Sequence, residues 1–211
     1  MLWFIGLGVS GISELSDRTI SVLKDAEVVY LESFTSPISE TEKEQLENIC
    51  DGEFKIAKRW LVEDGTEILD NAQKRETVLI SYGDPYIATT HLELKTRAIR
   101  DNIETKTIHS SSIVSSLIGE VGLHYYKIGK ILTIMNDSKS MITPYNTIFH
   151  NLLNKAHSLI LLEYNEDKSF FLSPQNAMSL LLDVENTQNG KIISPDTFVI
   201  VASRIGKNDQ K

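Results

Sequence analysis

Val78-Leu79-Ile80-Ser81-Tyr82-Gly83-Asp84-Pro85-Tyr86-Ile87-Ala88-Thr89-Thr90-His91 is an apolar run that breaks into a rigid turn and then opens a helix, and this order decides the fold. Gly83 tolerates unusual dihedrals, Pro85 fixes its own φ, and the residue before a proline is kept near extended geometry. The Asp84 carboxylate is therefore held in a defined place. Thr90-His91-Leu92-Glu93 reads as a capping box, so hydroxyls and backbone N–H groups converge where the strand ends. In open α/β sheets that edge receives small molecules. Gly-Asp-Pro alone is also an ordinary turn. Its place after a strand, with Thr89, Thr90 and His91 beside it, is what favours a site. His91 itself stays open between a capping or solvent-facing residue and a chemical group.

Outward from this stretch, short apolar runs alternate with helical patterns. Leu2–Ile5, Val28–Leu31, Phe54–Ala57, Val78–Ser81 and Thr105–His109 read as strands, with helices expected around Thr19–Asp25, Glu40–Cys50, Gly65–Lys74 and His91–Asp101. The runs are too continuously apolar to have one wet face, which implies a mostly parallel sheet covered by helices. Beyond Lys130 the character changes. Lys130–Met135, Ser158–Tyr164, Ser169–Leu172 and Thr197–Ser203 read as longer strands with fewer helices between them. Thr143-Pro144 and Ser173-Pro174 each pair an N-cap hydroxyl with proline at the first helical position. A boundary near Ser110-Ser111-Ser112 then predicts an α/β domain over 1–111, with a mostly parallel sheet, and a second α/β domain over 112–211 with a mixed sheet.

The chain has 211 residues, of which 41% are hydrophobic, enough for one large or two small domains with a real core. Its formal net charge of -8 argues against nucleic acid or an anionic membrane as the main partner. Cys50 is the only cysteine, so no intrachain disulfide forms and a reducing, cytoplasmic setting is expected. No apolar run approaches the ~18 residues of a membrane span, and the N-terminus lacks the pattern of a signal peptide.

Gly6-Leu7-Gly8-Val9-Ser10-Gly11 follows the first strand and matches the glycine pattern of dinucleotide sites, with Glu32 about 20 residues further on in the place of the ribose acceptor. A cap at Ser16 or Asp17 starts the next helix late, however, which makes the glycines a longer loop. Three readings stay open: a dinucleotide site, a loop passing close to another ligand, and a structural turn. The cluster Ser110-Ser111-Ser112-Ile113-Val114-Ser115-Ser116 is either a grip for a carboxylate or a solvated loop with an N-cap, and no Gly-x-Ser-x-Gly elbow accompanies it. His124, His150 and His157 stand apart from one another, so no metal site is expected. Glu40–Glu47, with Lys43 among the acids, has the look of a solvated helix face.

Phe4-Ile5-Gly6-Leu7-Gly8, Asp17-Arg18-Thr19, Val29 to Ser36 and Gly83-Asp84-Pro85-Tyr86-Ile87-Ala88-Thr89-Thr90-His91 together resemble the diphthine synthases of the tetrapyrrole methylase-like class. The likeness continues through His109 to Ile113, Gly122 to Lys130, Asn176 to Leu182 and Val199 to Gly206, and so covers nearly the whole chain. Ala-Thr-Thr-His after Gly-Asp-Pro is its specific part. The resemblance implies a two-domain homodimer that binds S-adenosyl-L-methionine in a cleft between domains and N-methylates a modified histidine of elongation factor 2. It places the cofactor contacts at Val9, Asp84, Ile87, Ser112, Ile113, Leu162 and Ile205. The family pattern runs on past Arg204-Ile205-Gly206 with a second Gly-Asp-Pro and a His-rich strand, whereas this chain stops at Lys211. A shortened second domain is therefore expected.

The expected chemistry is direct in-line methyl transfer by positioning; protons leave the amine to water or to a carboxylate, and the sequence names no base, with His91 and Glu32 as candidates beside an enzyme that positions only and has no dedicated base. The competing readings are a nicotinamide-dependent oxidoreductase built on Gly6, Gly8 and Gly11, and a non-catalytic homologue that binds a translation factor.

Overall fold

Five strands pair into one sheet in the computed structural model, which describes residues 1–211. The strands are β1 (Leu2–Gly6), β2 (Val28–Glu32), β3 (Glu53–Ala57), β4 (Thr77–Ser81) and β5 (Thr105–Ile108), in the order β3-β2-β4-β1-β5. Every pairing is parallel, with Phe4 opposite Leu79 and Thr107, and Tyr30 opposite Lys55 and Leu79. Parallel strands need crossovers, and the intervening segments supply them as helices: α1 (Asp17–Asp25), α2 (Glu40–Glu47), α3 (Arg59–Asp64), α4 (Thr66–Ala72) and α5 (His91–Arg100).

The period of two in a strand sends alternate side chains to opposite faces, which explains why the central strands β1, β2 and β4 are almost wholly buried while the edge strands β3 and β5 carry polar residues. Leu2, Phe4, Val28, Tyr30 and Leu79 face one cluster with Val62, Ile68, Leu69, Leu94 and Ala98 of α3, α4 and α5. Ile5, Val29, Leu31, Val78 and Ile80 face the other, with Leu23 of α1 and Leu46 of α2. Each Val, Leu, Ile or Phe side chain among them contributes roughly 1.5–3 kcal/mol by leaving water.

The chain divides into two compact units, Met1–Ser116 with Ile205–Asp209, and Leu117–Arg204 with Gln210–Lys211. After α6 (Ile113–Glu120), β6 (Leu132–Ile134) pairs parallel with β7 (Ile160–Leu162), and β8 (Tyr164–Asn165) pairs antiparallel with β9 (Phe170–Phe171). Leu132, Ile134, Met141, Tyr145, Ile148, Leu172, Ala177 and Leu181 build its core with α7 (Ile142–Leu153) and α8 (Pro174–Gln188). No helix is long and apolar enough to cross a membrane.

Local chemistry accounts for the start of α8, while α7, α3 and the run Thr197–Ser203 differ from expectation. Ser173 caps α8 by accepting from Asn176 N–H, with Pro174 at the first position as expected. α7 starts two residues earlier than its proline signal, at Ile142 rather than Pro144, and Thr143 already lies inside it. α3 follows Lys58 with no side-chain cap and carries no start signal; Gly65 at φ 68 ends it and opens α4. The run Thr197–Ser203 forms no strand: Phe198 is 86% exposed, and the segment joins neither two-stranded sheet.

Candidate active site

Three loops leave the carboxyl edge of the first sheet side by side, after β4, β1 and β5, because those strands are neighbours. Gly8 and Gly83 close the first junction by exchanging two backbone hydrogen bonds, each 3.1 Å. Both sit at positive φ, and a Cβ on Gly6 would meet the Gly83 carbonyl at 2.3 Å. The approach therefore leaves no room for a side chain at Gly6 or Gly8, whereas Gly83 is favoured by its positive φ alone. Val9 N–H donates to Ser111 Oγ at 2.9 Å, and Ser111 Oγ donates in turn to Glu14 Oε2 at 2.6 Å. These bonds tie the glycine loop to the serine loop.

Asp84 is nearly buried at the centre of this junction. Its Oδ1 accepts from Tyr86 N–H at 3.0 Å, and its Oδ2 lies 2.7 Å from His109 Nδ1 and 3.4 Å from Ser110 N. Ile87 follows in the same turn, with its N–H bonded to the Asp84 carbonyl, and stays 42% exposed. Ser112 is buried and caps α6, its Oγ accepting from Ser115 N–H, with Ile113 next to it. Ile205 returns to the same unit: the adjacent Gly206 packs so closely on Val9 that a Cβ would stand 2.6 Å from Val9 Cγ2. Lys207 fixes that return by donating to Ser10 O and Glu42 Oε1, with its charge 5.3 Å from the Tyr82 ring centre. Val9, Asp84, Ile87, Ser112, Ile113 and Ile205 thus gather at one edge, while Leu162 lies on β7 in the other unit.

The expected capping box at the start of α5 does not close. Thr90 makes no side-chain cap, and the Pro85 carbonyl takes the local donors instead, from Thr89 Oγ1 at 2.6 Å and from His91 Nδ1 at 3.0 Å. The other ring nitrogen of His91 has no hydrogen-bond partner and lies 3.9 Å from Glu32 Oε2, with both side chains fully buried. Glu32 accepts from Phe34 N–H, Thr35 N–H and Thr35 Oγ1, each at 2.6 Å. Burial pushes the Glu32 carboxyl above its ordinary range against those bonds, and burial lowers His91 to about 4. Neither group reaches solvent to act on a substrate.

The profile of the Tetrapyrrole (Corrin/Porphyrin) Methylases matches residues 1–211. The diphthine synthase of Methanothermobacter thermautotrophicus is 32% identical over 208 residues, spanning 98% of this chain and 79% of that relative. The chain belongs to the tetrapyrrole methylases, in their diphthine synthase branch. The diphthine methyl ester synthase of Saccharomyces cerevisiae is 32% identical over 228 residues, covering 100% of this chain and 76% of its own. A crystal structure of a diphthine synthase superposes with a TM-score of 0.85 at 27% identity, over 99% of this chain and 79% of that one.

Membership of the tetrapyrrole methylases agrees with what the glycine loop holds. A dinucleotide needs its pyrophosphate against free N–H groups at a helix start. Here a short 3-10 turn over Gly11–Glu14 intervenes, α1 begins only at Asp17 under its Ser16 cap, and Glu14 occupies the loop. Burial raises the Glu14 carboxyl, but hydrogen bonds from Ser10, Ser111 and Val9 outweigh it and hold it below the ordinary value. A carboxylate thus stands where a pyrophosphate would need donors, and Glu32 is turned inward away from any ribose. The oxidoreductase reading is not favoured in this tetrapyrrole methylase. Sequence reasoning missed Glu14 and His109; the second becomes visible only once β5 is known to lie beside β1.

Proposed function

We propose that the chain methylates the modified histidine of elongation factor 2 in diphthamide biosynthesis, with S-adenosyl-L-methionine as the methyl donor. The observation that carries this reading is the acidic carboxyl edge: Glu14 and the nearly buried Asp84 put two carboxylates where the three loops meet, a charge that suits a cationic sulfonium donor rather than a phosphate. Val9, Ile87, Ser112, Ile113 and Ile205 would border the donor there, and Leu162 stays in the proposed set on the family resemblance. The donor supplies an activated methyl, so the chain's own residues have only to bind, orient the acceptor nitrogen and handle its proton. The net charge of -8 argues against nucleic acid or an anionic membrane surface as the main partner. We further propose that it acts in the cytoplasm as a homodimer.

The test is transfer of labelled methyl to elongation factor 2 carrying the amino-acid-extended histidine, alongside calorimetry with S-adenosylhomocysteine. Micromolar binding and label in the acceptor are expected. The yeast relative's name specifies a methyl ester, so the product is also exposed to mild alkali. Alkali-stable label marks nitrogen, and alkali-labile label marks a carboxylate oxygen. Binding without any transfer would favour a non-catalytic homologue.

A further inference from the structure

We infer that His109 is the general base of the methyl transfer, with Asp84 as the residue that orients its ring. The inference rests on the methyltransferase reading above. It starts from the one exposed imidazole that the fold delivers to the carboxyl edge. His109 follows the last residue of β5, its side chain is 67% exposed, and its Nδ1 lies 2.7 Å from Asp84 Oδ2 while the Asp84 side chain is 9% exposed. A buried carboxylate accepting at one ring nitrogen fixes the tautomer, so Nδ1 carries the hydrogen and Nε2 presents its lone pair outward. The ring is also held in orientation. Tyr86 meets it edge to face at 5.8 Å, and Tyr86 is itself anchored through its hydroxyl to Thr107 Oγ1 at 2.8 Å.

The chemistry needs such a group. An alkyl amine with a pKa of about 10 is an ammonium at neutral pH and has no lone pair to attack with. Before each transfer one N–H proton passes from the acceptor nitrogen to Nε2 of His109, leaving the free amine and an imidazolium paired with Asp84. The nitrogen lone pair then forms the N–C bond as the S–C bond of the sulfonium donor breaks. That electron pair stays on sulfur, which leaves as a neutral thioether, and His109 returns its proton to water. No other imidazole is available for this at the edge, since His91 is fully buried and committed to Pro85. A positioned base of this kind typically contributes 10²–10⁴-fold.

The test uses the whole chain with His109→Ala and His109→Gln. Calorimetry with S-adenosylhomocysteine is expected to give the same affinity as the unsubstituted chain within about threefold, which shows that the fold and the donor position persist. Steady-state methyl transfer to the amine acceptor is expected to fall at least about 100-fold in kcat with little change in KM. Added imidazole is expected to restore part of the rate in His109→Ala and none in His109→Gln, where the larger side chain fills the space. The ¹⁵N shifts of the His109 ring are expected to show hydrogen on Nδ1, and Asp84→Asn is expected to mix the tautomers. Transfer within threefold of normal in His109→Ala, or a loss that imidazole does not rescue while donor affinity is intact, overturns the inference. Absence of binding and transfer in the unsubstituted chain would instead refute the methyltransferase reading.

Discussion

Two carboxylate–imidazole pairs flank the same Gly-Asp-Pro turn, and they differ in where water is. Glu32 and His91 face each other under the turn, fully buried, 3.9 Å apart. Asp84 and His109 stand at its outer side, 2.7 Å apart, with the imidazole largely exposed. The inner pair has every carboxylate bond committed to the Phe34–Thr35 backbone and the Thr35 hydroxyl, and its imidazole holds the Pro85 carbonyl. It is built to keep the turn in shape. The outer pair has a committed acid and an uncommitted ring nitrogen, which is the arrangement of a group that exchanges protons. Residue type alone does not separate these roles; burial and the unspent hydrogen-bonding site do.

Substitutions that treat the two pairs alike should therefore have opposite signatures. The largest effect is expected at the outer imidazole: His109→Gln lowers methyl transfer about 100-fold, equivalent to about 2.7 kcal/mol of barrier, and changes urea stability by less than about 1 kcal/mol because its partner bond is exposed on one side. At the inner pair the pattern inverts. Glu32→Leu leaves three donors of the Phe34–Thr35 segment unpaired and is expected to cost about 2–4 kcal/mol in urea unfolding. His91→Leu removes the bond to Pro85 and is expected to cost about 1–3 kcal/mol, with kcat of the surviving folded enzyme within a few-fold of normal. Equal activity losses at both histidines would erase the distinction.

Acid should sharpen it further. Burial holds His91 at about 4, against an ordinary value of 6.5. Between those values the unfolded chain binds a proton that the folded chain refuses, so stability falls as pH drops from 6.5 toward 4, by on the order of 3 kcal/mol for this group. Glu32, which faces it, has the opposite sign: burial raises its folded pKa, so its contribution is present in acid and is lost as pH rises through that raised value. Arg59, close enough to draw Glu32 down, is the other charge to count. Urea midpoints between pH 7 and 4 are expected to fall more steeply for the unsubstituted chain than for His91→Gln. At the small end, Glu44→Gln on the solvated face of α2 is expected to change stability by less than about 0.5 kcal/mol.

Much of this was legible in the amino-acid sequence. Continuous apolar runs such as Val28–Leu31 and Val78–Ile80 announce a sheet buried on both faces, and the structure distributes their side chains alternately to two cores. Gly83-Asp84-Pro85 announced the turn because backbone restrictions there are local. What depended on spatial neighbours was not legible. His109 meets Asp84 only because β4 and β5 both flank β1, and strand order is not written in periodicity. Thr90 looked like a cap, yet the Pro85 carbonyl collects Thr89 and His91 in a tighter local arrangement. Phe198–Val201 has strand composition, but composition makes a strand only where a neighbour offers hydrogen bonds. α3 has six residues and no capping side chain, so nothing marks its start.

The account stands or falls on whether a methyl group leaves a sulfonium donor at this edge and arrives on elongation factor 2. The most direct measurement incubates the chain with methyl-labelled S-adenosyl-L-methionine and elongation factor 2 bearing the extended histidine, then reads label on that residue by mass spectrometry. Label on the modified histidine, sharply reduced by His109→Ala, is the predicted result. A folded chain that leaves that histidine unlabelled would contradict it.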